Sequence, residues 1–196
     1  MIRLVAFDLD GVLIPSNASY KYFEQHHGIT RADFGEFFRG YYQDAMLGRV
    51  DLYDILQPAL TAWKWKSSIE EFATVWFGSC QDCEPEGLQV LRTLRAQDVL
   101  CYVASNQDNR RADFLETQPW LQEFFHRRFF SCRMGVMKPD QAYFQTIQQA
   151  AGVAPEEILF VDDKAENVAG ARACSWNAEV CLGSLELQRI VARYFE

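Results

Sequence analysis

The chain has 196 residues, 49% of them hydrophobic, and 19 Lys and Arg against 27 Asp and Glu give a net charge of −8. That length suits one ordinary domain, or a core carrying a smaller insert, and the hydrophobic content excludes a disordered chain. The acidic balance argues against a nucleic-acid binder, which would carry a basic face, and no apolar run approaches the ~20 residues of a membrane helix.

In chain order, the first strand is expected over residues 2–7. It starts almost at Met1, which leaves no room for a secretory signal and predicts a soluble, cytoplasmic protein. Gly11 then allows a sharp backbone turn just after Asp10. From Pro15 to Cys83 no strand-like run occurs, and aromatics recur at helical spacing: Tyr22–Phe23, Phe34–Phe37–Phe38 and Ile69–Phe72–Val75–Trp76. Thr30, Asp51 and Ser67 or Ser68 are the expected helix N-caps, with Gly28, Gly40, Gly48 and Gly78 as stops. The stretch reads as a small helical unit inserted after the first strand.

A strand–helix alternation resumes at Pro85. Leu88, Leu91 and Leu94 mark a helix face; strands are expected over 99–104, at Phe129–Phe130, over 158–161 and over 179–182. Helices are expected over 109–116, around Tyr143, Phe144 and Ile147, through Val168, and from the last strand to about Tyr194. Strands alternating with helices predict a doubly wound parallel α/β sheet.

Three of these apolar runs stop on acidic or hydroxyl residues: FDLDGVL (7–13), VASNQ (103–107) and ILFVDD (158–163). Such runs read as strands buried on both faces, and in open α/β sheets their carboxyl ends line one crevice. Asp8, Asp10, Ser105, Asp162 and Asp163 are therefore expected to meet. Carboxylates that close repel one another unless a hard divalent cation sits among them.

The order DLDGVL, then Ser105, then KPD at 138–140, then VDD at 161–163 resembles the haloacid dehalogenase-like hydrolase superfamily, and the helical insert resembles that superfamily's cap. The resemblance implies a Rossmann-like catalytic core over residues 1–14 and 84–196, a cap over 15–83, and magnesium as cofactor. Phosphoryl transfer needs an in-line nucleophile and positive charge around the equatorial oxygens. Asp8 is expected to form an aspartyl-phosphate, and Asp10, two residues on, to protonate the leaving oxygen and later deprotonate the hydrolytic water, which calls for a raised pKa. Ser105 and the backbone N–H of Asn106 are expected to bind phosphate oxygens, with Lys138 supplying charge on a loop stiffened by Pro139. Asp8, Asp10, Asp162 and Asp163 are the expected metal residues, Asp163 as a ligand or as an orienter; Asn167 either caps its helix and ties the loop down or joins the site.

Members that displace halide form an alkyl ester and generally lack the second Asp, having no alkoxide to protonate, so Asp10 favours phosphatase chemistry. The VDD and MGVMKPD stretches resemble a subgroup with sugar-phosphate phosphatases and the phosphatase domain of a bifunctional epoxide hydrolase. The expected partner is a small phosphorylated metabolite such as a sugar phosphate, not nucleic acid or membrane. Phosphomutase, haloacid dehalogenase and a non-catalytic binding protein of the same fold are the alternatives.

The remaining polar features read as structural. His26, His27 and His126 have no partner at metal or triad spacing, and WKWK (63–66) reads as an amphipathic helix end packing on its neighbours. Of the six cysteines only Cys80 and Cys83 form a C-x-x-C pair, without a second pair for zinc, so reduced thiols are expected. Tyr20, Arg39 and Arg49 are insert residues able to face a substrate, and nothing in the pattern selects among them.

Overall fold

The computed structural model describes residues 1–15, 18–40 and 42–195. In chain order these form β1 (Leu4–Phe7), α1 (Ala18–His27), α2 (Arg31–Arg39), α3 (Tyr42–Met46), α4 (Leu52–Ala62), α5 (Ile69–Gly78), α6 (Pro85–Ala96), β2 (Leu100–Ser105), α7 (Asn109–Glu116), α8 (Pro119–Phe124), β3 (Arg127–Phe130) and α9 (Ser131–Met134). They continue with α10 (Gln141–Ala151), a single 3₁₀ turn (Pro155–Glu157), β4 (Ile158–Asp162), α11 (Ala165–Ala173), β5 (Asn177–Val180) and α12 (Ser184–Phe195).

All pairings in the sheet are parallel, and the order is β3-β2-β1-β4-β5. Alternate residues feed opposite faces, as strand geometry dictates. Val5, Phe7, Cys101, Val103, Leu159 and Val161 join one core with α6, α7, α8 and α12. Leu4, Ala6, Tyr102, Ala104, Ile158 and Phe160 join the other with Tyr143, Phe144 and Ile147 of α10 and Val168 of α11. Both faces are covered, so this is the doubly wound sheet that the alternation predicts.

The chain builds outward from β1 in one direction through β2 and β3, then crosses back to build β4 and β5 on the other side. This reversal leaves a crevice outside the carboxyl ends of β1 and β4, where ligands of such sheets bind. Register aligns those ends: Phe7 pairs with both Val103 and Val161, so Asp8 and Asp162 leave the sheet side by side.

Strand boundaries shift by one to two residues from expectation. β5 lies at Asn177–Val180, not 179–182: Asn177 and Ala178 pair with Leu159 and Phe160, while Leu182 is past the ladder and 72% exposed. An edge strand bonds one neighbour only and keeps polar residues on its free side, so the apolar run misplaces it. Glu179 on β5 faces Arg172, Arg193 and Tyr194 instead of a core.

Between β1 and α6 the described residues form the helices α1 to α5. Thr30 caps α2 in a reciprocal box with Asp33, Asp51 caps α4 through Tyr53 N–H, and Ser68, not Ser67, caps α5 through Glu71 N–H. Gly78 is the last residue of α5, with Ser79 closing the helix, so it does not stop the chain in the way expected. Phe23, Phe34 and Phe72 are fully buried, and the rings of Trp63, Trp65 and Trp76 pack around them. The WKWK tryptophans thus pack on their neighbours, and Trp65 Nε1 donates to Ser68 O. His27 stacks near Trp65, and His126 Nδ1 accepts from the Cys101 N–H. All six cysteines are free thiols. Among the described residues no helix is long and apolar enough to cross a membrane.

Candidate active site

Asp8 is the residue at which β1 ends. Its N–H still donates to Val161 O at 2.9 Å, and its Oδ1 accepts from Leu9 N–H at 2.8 Å. The chain then coils tightly, with Leu9 O accepting from the N–H groups of Leu13 and Ile14. Gly11 sits in this coil at φ +86°, and a Cβ on it would lie 2.6 Å from Asp163 Oδ2. Backbone hand and close approach both require glycine there.

Asp8, Asp162 and Asp163 each place a carboxylate oxygen within 4.8 Å of the others. Lys138 enters from the loop before α10 and is buried beneath them, its Nζ 3.1 Å from Asp8 Oδ2, 2.5 Å from Asp162 Oδ2 and 2.7 Å from Ala104 O. Burial pushes the Asp8 carboxyl up to about 7; Lys138 opposes that rise, while Asp162 and Asp10 add to it. Burial works against the Lys138 charge too, but Asp8 and Asp162 outweigh it and hold the ammonium above its usual value. Asp163 is raised by burial and by Asp162, and its Oδ1 is buried with no hydrogen-bond partner among the described residues. An oxygen-only donor set with an unpaired buried oxygen fits a hard cation such as Mg²⁺. A shallow cleft lined by Gly11, Ile14, Pro15, Leu182 and Gly183 opens onto Asp163.

Asn167, which the sequence leaves between a loop tie and the site, is buried and donates from Nδ2 to both oxygens of Asp162, at 2.9 and 3.0 Å. With Lys164 N–H at 2.8 Å on Oδ1, it fixes the orientation of Asp162.

Asp10 belongs to a second group. Its Oδ1 accepts from Arg111 Nη2 and its Oδ2 from Gln107 Nε2, both at 2.7 Å, so its carboxylate lies outside the Asp8–Asp162–Asp163 set. Gln107 Nε2 also donates to Ser105 Oγ at 3.1 Å. Asn106 uses its side chain on the Lys138 backbone, with Nδ2 donating to Lys138 O and Oδ1 accepting from Lys138 N–H, each at 3.0 Å. That clasp seats the lysine loop against the end of β2.

Gln107 and Arg111 join the site although the sequence pattern does not single them out. Gln107 lies just before the N-cap Asp108 and Arg111 in the first turn of α7, and the two side chains touch, Arg111 Nε donating to Gln107 Oε1 at 3.1 Å.

The model of the haloacid dehalogenase-like hydrolases matches residues 2–175. A predicted HAD-like family hydrolase from Porphyromonas gingivalis superposes with TM-score 0.78 at 25% identity, covering 100% of this chain and 99% of that one. A HAD family enzyme from Bacteroides thetaiotaomicron, solved with magnesium and inorganic phosphate, superposes with TM-score 0.74 at 19% identity, over 92% of this chain and 94% of that one. Dehalogenases share the fold as well. A sesquiterpene phosphatase from Aspergillus oryzae is 31% identical over 84 residues, so the match spans 43% of this chain and 43% of that protein. With the sheet, the acidic crevice and a family match over most of the chain in agreement, the chain belongs to the haloacid dehalogenase-like hydrolases.

Proposed function

We propose that the protein is a magnesium-dependent phosphatase that hydrolyses a small organic phosphate monoester through an aspartyl-phosphate on Asp8. The observation that carries this reading is one buried cation, Lys138, shared between Asp8 and Asp162 at the mouth of the switch-point crevice. A carboxylate held on both oxygens, by Leu9 N–H and by Lys138, presents a fixed nucleophile. Asp8 attacks phosphorus; the Ser105 hydroxyl and the Asn106 N–H bind equatorial oxygens, and Lys138 offsets their charge. Asp10 gives its proton to the leaving oxygen, then removes one from the water that opens the acyl phosphate.

Asp8, Asp162 and Asp163 would hold the metal, with Asn167 orienting Asp162. When bound, Mg²⁺ supplies positive charge that lowers repulsion between the substrate phosphate and these carboxylates. The helical insert closes over the crevice as a cap and favours metabolites over folded protein substrates. The partial match to a phosphatase supports phosphate over halide, as does Asp10, for which halide displacement has no use. The six free thiols suit a reducing compartment, and we place the protein in the cytoplasm.

The test is phosphate release from 4-nitrophenyl phosphate and a panel of sugar and other organic monophosphates, with magnesium and with chelator. Turnover that requires magnesium and falls at least ~10³-fold in Asp8→Asn is the expected result. Near-normal turnover by that variant removes Asp8 as nucleophile, and halide release from a short haloacid without phosphate release replaces the reading with a dehalogenase.

A further inference from the structure

We propose that Arg111 is the positioning residue for Asp10, and that it ties the placement of this acid–base carboxylate to the seating of the helical insert; the inference rests on the phosphatase reading above. Arg111 is the third residue of α7, and its side chain is 3% exposed, whereas the Asp10 side chain it grips is 43% exposed. The cation is sunk in protein while the carboxylate faces the open crevice. Burying a guanidinium carries a desolvation cost that an apolar side chain of similar volume would not, so packing alone is a poor reason for an arginine here.

Two of the three nitrogens of this fork act on Asp10, one directly and one through Gln107. Nη2 holds Asp10 Oδ1 at 2.7 Å, and Nε donates to Gln107 Oε1 at 3.1 Å. Because Gln107 accepts from Arg111 through Oε1, its amide must present Nε2 outward, where it donates to Asp10 Oδ2 and to Ser105 Oγ. Arg111 thus places one oxygen of Asp10 directly and the other through Gln107. The same closed ring reaches Ser105, the residue expected on the phosphate.

The other side of the fork reaches into the segment that returns from the insert. Nη1 donates to Cys80 Sγ at 2.7 Å, and Nη2 also to Cys80 O at 3.1 Å. Cys80 lies two residues beyond α5, so movement of the insert pulls on the group that holds Asp10. A lysine cannot reproduce this, since a point charge has no planar fork to bridge carboxylate, amide and thiol together.

A positioning role has a signature that loss of packing lacks. Protonation of the leaving oxygen matters most when that oxygen is basic, so damage to Asp10 placement falls hardest on poor leaving groups. The experiment measures kcat/KM, which reports the first phosphoryl transfer, for 4-nitrophenyl, phenyl and butyl phosphate with wild-type protein, Arg111→Gln and Arg111→Lys. The expected loss for Arg111→Gln is within ~10-fold on the nitrophenyl ester and ~10² or more on the butyl ester, with Arg111→Lys between wild type and Gln. Equal losses on all three esters overturn the proposal and leave the phosphatase reading intact. A wild-type protein inactive on every monoester overturns both. Should Arg111→Gln not accumulate as folded protein, Gln107→Ala removes the grip on Asp10 Oδ2 alone and must show the same dependence on leaving group.

Discussion

Gly11 and Asp163 act as one unit at the residue scale. The left-handed backbone of Gly11 and the 2.6 Å approach of Asp163 to its missing Cβ mean that an added methyl both strains the coil and displaces a candidate metal ligand. Gly11→Ala is expected to cost about 1–3 kcal/mol, visible as a lower Tm, and to raise the magnesium concentration needed for half-activation. Unchanged melting would mean the coil adapts without strain. Asn167 makes a second residue-scale case. Its amide is bonded to both oxygens of Asp162, so Asn167→Ala loosens that carboxylate, leaving it to Lys164 N–H and Lys138. Metal affinity should fall about 10–100-fold in a magnesium titration of activity, with kcat at saturating metal less affected; an unaltered titration midpoint would assign Asn167 to the loop alone. Residues of this kind separate what the sequence made legible from what it hid. Asp8, Ser105 and Asp162 could be read because each ends an apolar run at a strand's carboxyl end. Arg111 and Gln107 could not, because polar residues at the start of a mostly polar helix are usually solvated, and only the fold turns these two toward Asp10.

At the scale of elements, α7 is the surface on which the insert docks. Asp108, its N-cap, accepts from Tyr42 OH at 2.9 Å; Arg110 pairs with Asp51 at 2.6 Å and lies 3.5 Å over the Tyr53 ring; Arg111 holds Cys80. Ser131 of α9 adds a hydroxyl bond to Met46 O at 2.6 Å. These contacts differ in worth. Arg110 and Asp51 are both about two-fifths exposed, so their pair contributes little beyond its stacking on Tyr53. Tyr42 and Asp108 are buried, and Tyr42→Phe takes the hydroxyl donor from Asp108 Oδ2 while Oδ1 keeps Arg111 N–H. The expected cost is about 1–3 kcal/mol, measured by denaturant unfolding, against less than about 1 kcal/mol for the Arg110–Asp51 coupling in a double-mutant cycle, which separates the pair from the capping of α4 by Asp51. A reversed ranking would show that the exposed pair carries the docking. Most element types were legible, because helical spacing of aromatics and capping side chains are local signals; the short helices α8 and α9 were not among the expected elements. The ends of β1, β2 and β5 were not. A strand's limits depend on which neighbour offers a ladder partner, and β5, at the sheet edge, carries its polar residues outward where hydrophobicity gives no cue.

For the whole molecule, the consequence of burying Asp8 among acids is a coupling between protonation, metal binding and stability. The Asp8 carboxyl, ordinarily near 3.8, rises to about 7 in the fold without metal, and Asp163 moves the same way. Between those values the folded state binds a proton that the unfolded chain has lost, so the contribution of Asp8 to metal-free stability is greatest at the acid end of this window. It falls as pH rises through it, and levels off above about 7. Lys138 does not alter that trend: its raised value adds stability that is present throughout the window and is lost only well above it. Binding of a cation requires the Asp8 proton to leave, and the negative charge left behind is what the cation stabilises. The Tm gain produced by saturating magnesium should therefore be larger at pH 8 than at pH 6, and metal binding at pH 6 should release protons to the buffer. Thermal melts at the two pH values, with magnesium and with chelator, read the first; calorimetry in buffers of different ionisation enthalpy reads the second. Equal Tm gains with no proton release would mean that the acidic crevice does not gather its charges around a metal, and the chemistry assigned to Asp8 would lose its support.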